Sequence, residues 1–136
     1  MKRYLLDTGI AADYLNRRGS VYARARQHIA EGARLGLCAP VVGELWDGVF
    51  TSATSRFNEA LLERHLGHFA IWPCDYVAAL EYGRLAAELR RRGRTMQQID
   101  VQIAAIALTL DDCVVVSKDG DMREVPGLAV ENWASP

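Results

Sequence analysis

The sequence predicts a three-layer α/β domain, a parallel sheet of about five strands flanked by helices, and three observations predict it. Five short apolar runs are unbroken rather than alternating, as in strands whose two faces are both covered. Segments with helical spacing separate the runs, the ordering that builds strand–helix–strand units. Half of the 136 residues are hydrophobic and 24% are charged, a balance that suits one well-buried core and leaves no room for two. Residues 1–136 therefore read as a single domain, without repeat or linker.

Taken in order, Tyr4-Leu5-Leu6 ends abruptly at Asp7, and from Ile10 to Leu15 the spacing turns helical. Arg17-Arg18-Gly19-Ser20 is a loop signal, and Ser20 is placed to cap a helix from Val21 to about Ala33. Leu35 to Ala39 is the second run. Pro40 suits the first turn of the next helix, where its missing N–H is unpaired anyway, and Val41 to Phe50 continue it. Thr51 to Ser55 break the pattern, and Phe57 to Leu66 resume it with Leu61, Leu62 and Leu66. Ala70-Ile71-Trp72 is the third run, closed by Pro73. Asp75 then caps the longest helical pattern, with Val77, Leu80, Leu85 and Leu89 as its apolar stripe and Gly93 as its stop. Thr95-Met96-Gln97-Gln98 has the form of a capping box, which starts a helix at about Met96 that runs to Leu110. Cys113 to Val116 is the fourth run, and after the Pro126-Gly127 turn Leu128-Ala129-Val130 is the fifth.

No apolar stretch reaches the roughly 18 residues of a membrane span, and Asp7 interrupts the start too early for a signal-peptide core. The expectation is a cytoplasmic protein. Cys38, Cys74 and Cys113 are odd in number and form no C-x-x-C pair, so buried, reduced thiols are expected rather than disulfides or zinc.

The net charge of −1 conceals blocks: +4 over residues 1–34, −4 over 35–83, +4 over 84–94 and −5 over 95–136. A fold that joins them sets a carboxylate pocket beside a basic surface; the bland reading is that the arginines solvate helix faces.

In open α/β sheets, sites form just past the carboxyl ends of the strands. Asp7 follows the first run directly, and Asp119 follows Val114-Val115-Val116 by three residues. Glu44 lies one helical turn after Pro40, and Asp100 sits near the start of its helix, where the dipole favours an anion. Four acids from four elements thus point into one place. An all-oxygen set without His or Cys suits a hard ion, Mg²⁺ or Mn²⁺, whereas each acid alone is equally well a cap or a solvated side chain. Asp13, Asp47, Asp111 and Asp112 are expected to face solvent.

Leu5-Leu6-Asp7-Thr8, Gly43-Glu44-Leu45 with Gly48, Ile99-Asp100-Val101-Gln102-Ile103-Ala104-Ala105, and Ser117-Lys118-Asp119-Gly120-Asp121 followed by Pro126-Gly127-Leu128 stand in the order and spacing of the PIN domain. The chain resembles that family over essentially its whole length, and most closely its VapC-like toxins. The resemblance implies a Mg²⁺- or Mn²⁺-dependent endoribonuclease that hydrolyses RNA with metal-activated water, forms a homodimer and is inhibited by a small VapB-like antitoxin. Carried over, Asp7, Glu44, Asp100 and Asp119 become the catalytic, metal-binding acids, with Asp121 as the other candidate for the fourth place. Thr8 and Ser117 become supporting hydroxyls. Arg17, Arg18, Arg90, Arg91, Arg92 and Arg94, with Arg24 and Arg26, become candidates for RNA phosphate contact. Gly9 stands where Asn or Ser is frequent in the family, Ser117 where Thr is usual, and Met122 where an aromatic is common; none of these removes a carboxylate.

Two other readings stay open at this point. A PIN scaffold without catalysis would bind RNA or protein. Asp7-Thr8-Gly9 also matches the Asp-Thr-Gly signature of dimeric aspartic proteases, but that fold is all-β and this chain is mostly helical in pattern. His65 and His68, three apart with no third ligand evident, read as surface histidines. Trp46, Trp72 and Trp133 read as core or interface, and the leucines and Phe57 of the 55–66 helix as core, dimer contact or a groove for an antitoxin helix.

Overall fold

The computed structural model describes residues 1–135. Its elements follow the expected alternation: β1 (Arg3–Leu6), α1 (Thr8–Leu15), α2 (Val21–Ala30), β2 (Arg34–Cys38), α3 (Ala39–Phe50), α4 (Ser55–Leu66), β3 (Ala70–Trp72), α5 (Tyr76–Arg91), α6 (Gln98–Thr109), β4 (Cys113–Val116), a 3₁₀ turn (Gly120–Glu124) and β5 (Ala129–Glu131). The strands form one sheet in the order β3-β2-β1-β4-β5, and every neighbouring pair is parallel.

That order places the switch point of the sheet between β1 and β4, because the chain winds outward from β1 to β3 and then returns to start again beside β1. β1 pairs with β4 in register from Arg3 opposite Cys113 to Leu6 opposite Val116, and the Asp7 amide extends the ladder to the Val116 carbonyl at 3.1 Å. Residues 7 and 117 therefore leave the sheet side by side.

The core lies along β1, β2 and β4 and under α6. Leu5, Leu6, Leu37, Val115 and Val116 are fully buried, and Ile103, Ala104 and Ile106 cover them with Ile10, Tyr14 and Trp133. Small alanines along α6 allow close approach to the sheet. At β2, Gly36 is a packing requirement: a methyl group there would come within 2.6 Å of the Trp72 ring that crosses it from β3.

Several local expectations are corrected. α2 ends at Ala30, not Ala33, because the chain turns through Gly32 at φ 91°. Ser20 does not cap α2; its hydroxyl donates to the Trp133 carbonyl at 2.5 Å. The Thr95–Gln98 box is absent, since α6 begins at Gln98 with Gln97 in the cap position and no side-chain cap bond. Asp75 does cap α5, accepting from the Ala78 amide at 2.9 Å. Yet only Ala78, Leu85 and Leu89 of α5 are buried, and Val77 and Leu80 of the expected stripe stand exposed beside Ile71 and Tyr76. The fifth strand lies one residue later than expected.

Three side chains also depart from expectation. His65 is buried, not a surface histidine: it packs beside Tyr14 and His68, and its Nδ1 has no hydrogen-bond partner. Asp13 is buried rather than solvated. Cys74 is exposed, whereas Cys38 is buried and Cys113 half-buried; all three are free thiols. Among the described residues no helix is long and apolar enough to cross a membrane.

Candidate functional site

Asp7 is set by the abrupt end of β1. Its backbone is still extended, and its Oδ1 accepts the Ile10 amide at 2.9 Å, so the residue caps α1 with one carboxylate oxygen. Burial raises its pKa; the Ser117 hydroxyl, the Ile10 amide and the Lys118 ammonium pull it down, and the Asp119 charge adds to the rise. Asp119 repeats the arrangement after β4: it caps the 3₁₀ turn by accepting the Asp121 amide on Oδ1 at 2.9 Å. Its own amide donates to Ser117 Oγ at 3.0 Å. Ser117 is almost wholly buried, with its amide bonded to the Glu131 carbonyl at 3.0 Å, so a fixed hydroxyl lies between the two aspartates.

Glu44 comes from the second turn of α3, which Pro40 helps to start. The Thr8 hydroxyl donates to Glu44 Oε1 at 2.6 Å and so ties α3 to the first residue of α1. Asp100 lies in the first turn of α6. Its pKa is raised by burial first, then by the charges of Asp119, Asp7, Glu44 and Asp121. The four acids singled out in the sequence stand on one edge of the sheet, and the charges of Asp7, Glu44, Asp119 and Asp121 all reach Asp100.

The donor set fits a hard divalent cation. Every available ligand atom is a carboxylate oxygen, and the cluster's excess negative charge is what such an ion neutralises. Among the described residues no group of three or more His, Cys, Asp or Glu side chains is close enough, as it stands, to hold a metal ion.

The arginines divide. Arg94 pairs with Glu124 at 3.3 Å, at the end of the turn that Asp119 caps, and so stands on the same edge of the sheet as the acids. Arg91 and Arg92 are both engaged by Glu88, at 2.9 and 3.1 Å. Arg24 donates to the Asn132 carbonyl at 3.1 Å, and Arg17 lies over the Tyr22 ring. Arg17 and Arg18 follow the carboxyl end of α1, a helix length away from Asp7. The pair that sequence reasoning missed is Lys118 with Asp13, at 2.9 Å; its members are 105 residues apart, and no motif links them.

Residues 4–128 match the model of the PIN domain, and the chain belongs to that family. Within it, the chain is similar to the ribonuclease VapC2 of Rickettsia felis, with 26% identity over 96% of this chain and 97% of that one. It is similar also to the tRNA(fMet)-specific endonuclease VapC of Shigella flexneri, with 28% identity over 98% of this chain and all of the relative. Among solved structures, VapBC2 from Rickettsia felis bound to a DNA fragment from its promoter superposes with a TM-score of 0.88 at 25% identity, over 96% of this chain and 98% of that one.

Proposed function

We propose that this chain is a divalent-metal-dependent endoribonuclease and the toxin of a VapBC-type toxin–antitoxin pair, acting in the cytoplasm. The observation that carries the activity is that Asp7 and Asp119 leave the adjacent strands β1 and β4 side by side at the switch point of the sheet, with Glu44 tied to Thr8 next to Asp7 and Asp100 within reach of their charges. The relatives named ribonuclease and endonuclease cover essentially the whole chain and support the substrate class.

Asp7, Glu44, Asp100 and Asp119 would hold Mg²⁺ or Mn²⁺, with Asp121 beside Asp119. The ion, when bound, acidifies a water and offsets charge that builds on a phosphodiester. The protein's own part is positioning. Asp7 and Asp119 each spend one oxygen on an amide and so present the other in a fixed direction. Thr8 holds Glu44, and Ser117 sits between the two aspartates. Arg94, on the edge that carries the acids, is best placed to meet RNA phosphates, a contact that sets affinity rather than sequence choice. Arg91, Arg92, Arg17 and Arg18 add a more distant basic field.

The antitoxin partner is supported by the similar structures, which are toxin–antitoxin complexes. An apolar groove between α1, α3 and α4, lined by Ala12, Leu15, Leu45, Val49, Leu61 and Leu62, has the shape and chemistry to seat an amphipathic helix of such a partner. Phe57 is exposed and does not line it. Homodimerisation belongs to the same reading.

The test is incubation of the purified chain with a panel of RNAs in Mg²⁺, Mn²⁺ or EDTA, beside Asp7→Asn. Cleavage that needs the metal and Asp7 is expected. Binding of RNA without cleavage under every metal condition would replace the enzyme with a scaffold, and cleavage that persists in EDTA would remove the metal.

A further inference from the structure

At the rim of the acidic cluster lies an ion pair that the proposed chemistry does not use. Lys118 Nζ donates to Asp13 Oδ2 at 2.9 Å and joins the segment after β4 to the middle of α1. The Asp13 side chain is only 13% exposed, and among the described residues this ammonium is its one side-chain partner. Lys118 stands between Ser117 and Asp119 in the chain, and its charge acts directly on Asp7.

The path of the lysine is equally specific. A methyl group at Gly9 would lie 3.7 Å from Lys118 Cε and 3.8 Å from Asp7 Oδ1, so the lysine stem passes over the first turn of α1 alongside the Asp7 carboxylate. Both distances are ordinary van der Waals contacts, so the stem runs directly against the backbone at position 9.

Backbone pairing does not do this work. The β1–β4 ladder ends with the Asp7 amide on Val116, and the Ser117 amide turns away to β5. Beyond it, among the described residues, no backbone hydrogen bond ties Lys118 or Asp119 to α1.

We propose that Lys118, anchored on Asp13 and routed over Gly9, is a positioning residue that holds Asp119 against Asp7 so that both carboxylates engage one divalent ion. This rests on the metal-site reading above. It also runs against simple electrostatics, because an ammonium beside a cation site repels the cation; removing it by charge alone tightens metal binding.

The test is calorimetric titration of the full chain with Mn²⁺, beside thermal melts without metal. For Lys118→Met we expect Mn²⁺ affinity to fall about tenfold or more. Asp13→Asn should do the same, the double variant should be no worse than either single one, and Lys118→Arg should stay within about threefold of wild type. Wild-type binding with Lys118→Met unchanged or tighter overturns the inference alone, and so does a lower melting temperature with unaltered Mn²⁺ affinity. Absence of Mn²⁺ binding by the wild type overturns both the metal-site reading and this inference.

Discussion

The Thr8 hydroxyl and the Glu44 carboxylate, 36 residues apart, meet at 2.6 Å across the gap between α1 and α3. A neutral donor on a carboxylate is a strong hydrogen bond, and this one fixes the only proposed ligand that comes from α3. Thr8→Val keeps the shape and removes the donor. Its expected effect is a loss of about tenfold in cleavage rate, equivalent to about 1.4 kcal/mol, with a melting temperature close to wild type; Thr8→Ser should restore the rate. Full activity in Thr8→Val would remove the role given to this bond.

Asp100→Asn should abolish RNA cleavage while making the metal-free protein more stable. The Asp100 pKa is raised by folding, so its charged form opposes the fold at neutral pH. The sign follows: relief from the substitution is present above the folded pKa and vanishes in acid, where the wild-type carboxyl is protonated in both states. Asp100 is partly exposed, which screens the gain. A rise of about 2–4 °C at pH 7.5 is expected, closing toward pH 4. Melting curves against pH check it, and a lower melting temperature at neutral pH would contradict it.

His65 gives the opposite dependence. Burial lowers its pKa, and the charges of His68, Arg17 and Arg64 add to that, so the unfolded chain takes up the proton more readily than the folded one. Stability from this group is therefore complete above the unfolded value near 6.5 and is lost as the pH falls below it. His65→Phe should flatten the melting profile between pH 7 and 5 relative to wild type. An unchanged slope would show that the buried imidazole does not titrate against the fold.

Gly36→Ala should be among the most damaging single-methyl changes in the chain. The added group runs into the Trp72 ring, and the sheet backbone leaves it no escape. A loss of about 2–3 kcal/mol is expected by chemical denaturation. Gly36→Ala combined with Trp72→Leu should recover part of it, since the clash is with one named ring.

Much of the site was legible because parallel strands all end on one edge. Asp7 and Asp119 needed only the ends of two apolar runs, and Glu44 and Asp100 only helices leaving or approaching that edge. What stayed hidden depends on tertiary packing. The Lys118–Asp13 pair joins residues 105 apart with no periodic signature, so Asp13 read as one more solvated acid. His65 is different: it stands three and four residues after Leu62 and Leu61, on the inward face, and the helical spacing contained the signal. On α5 the periodicity marks an apolar face that Val77 and Leu80 share, but spacing alone does not say whether an element lies against it. The Thr95–Gln98 box failed because extended backbone carries on to Gln97.

The pairing of β1 with β4 also imposes a schedule on synthesis. Asp7 and Asp119 are made 112 residues apart, and the two come together only when Val116 has zipped onto Leu6. At roughly 5–20 residues per second, several seconds or more separate the synthesis of these two carboxylates. On the proposed reading, the acids from β1 and β4 cannot meet one ion until β4 has been made and has paired, so the site forms as a late event of folding.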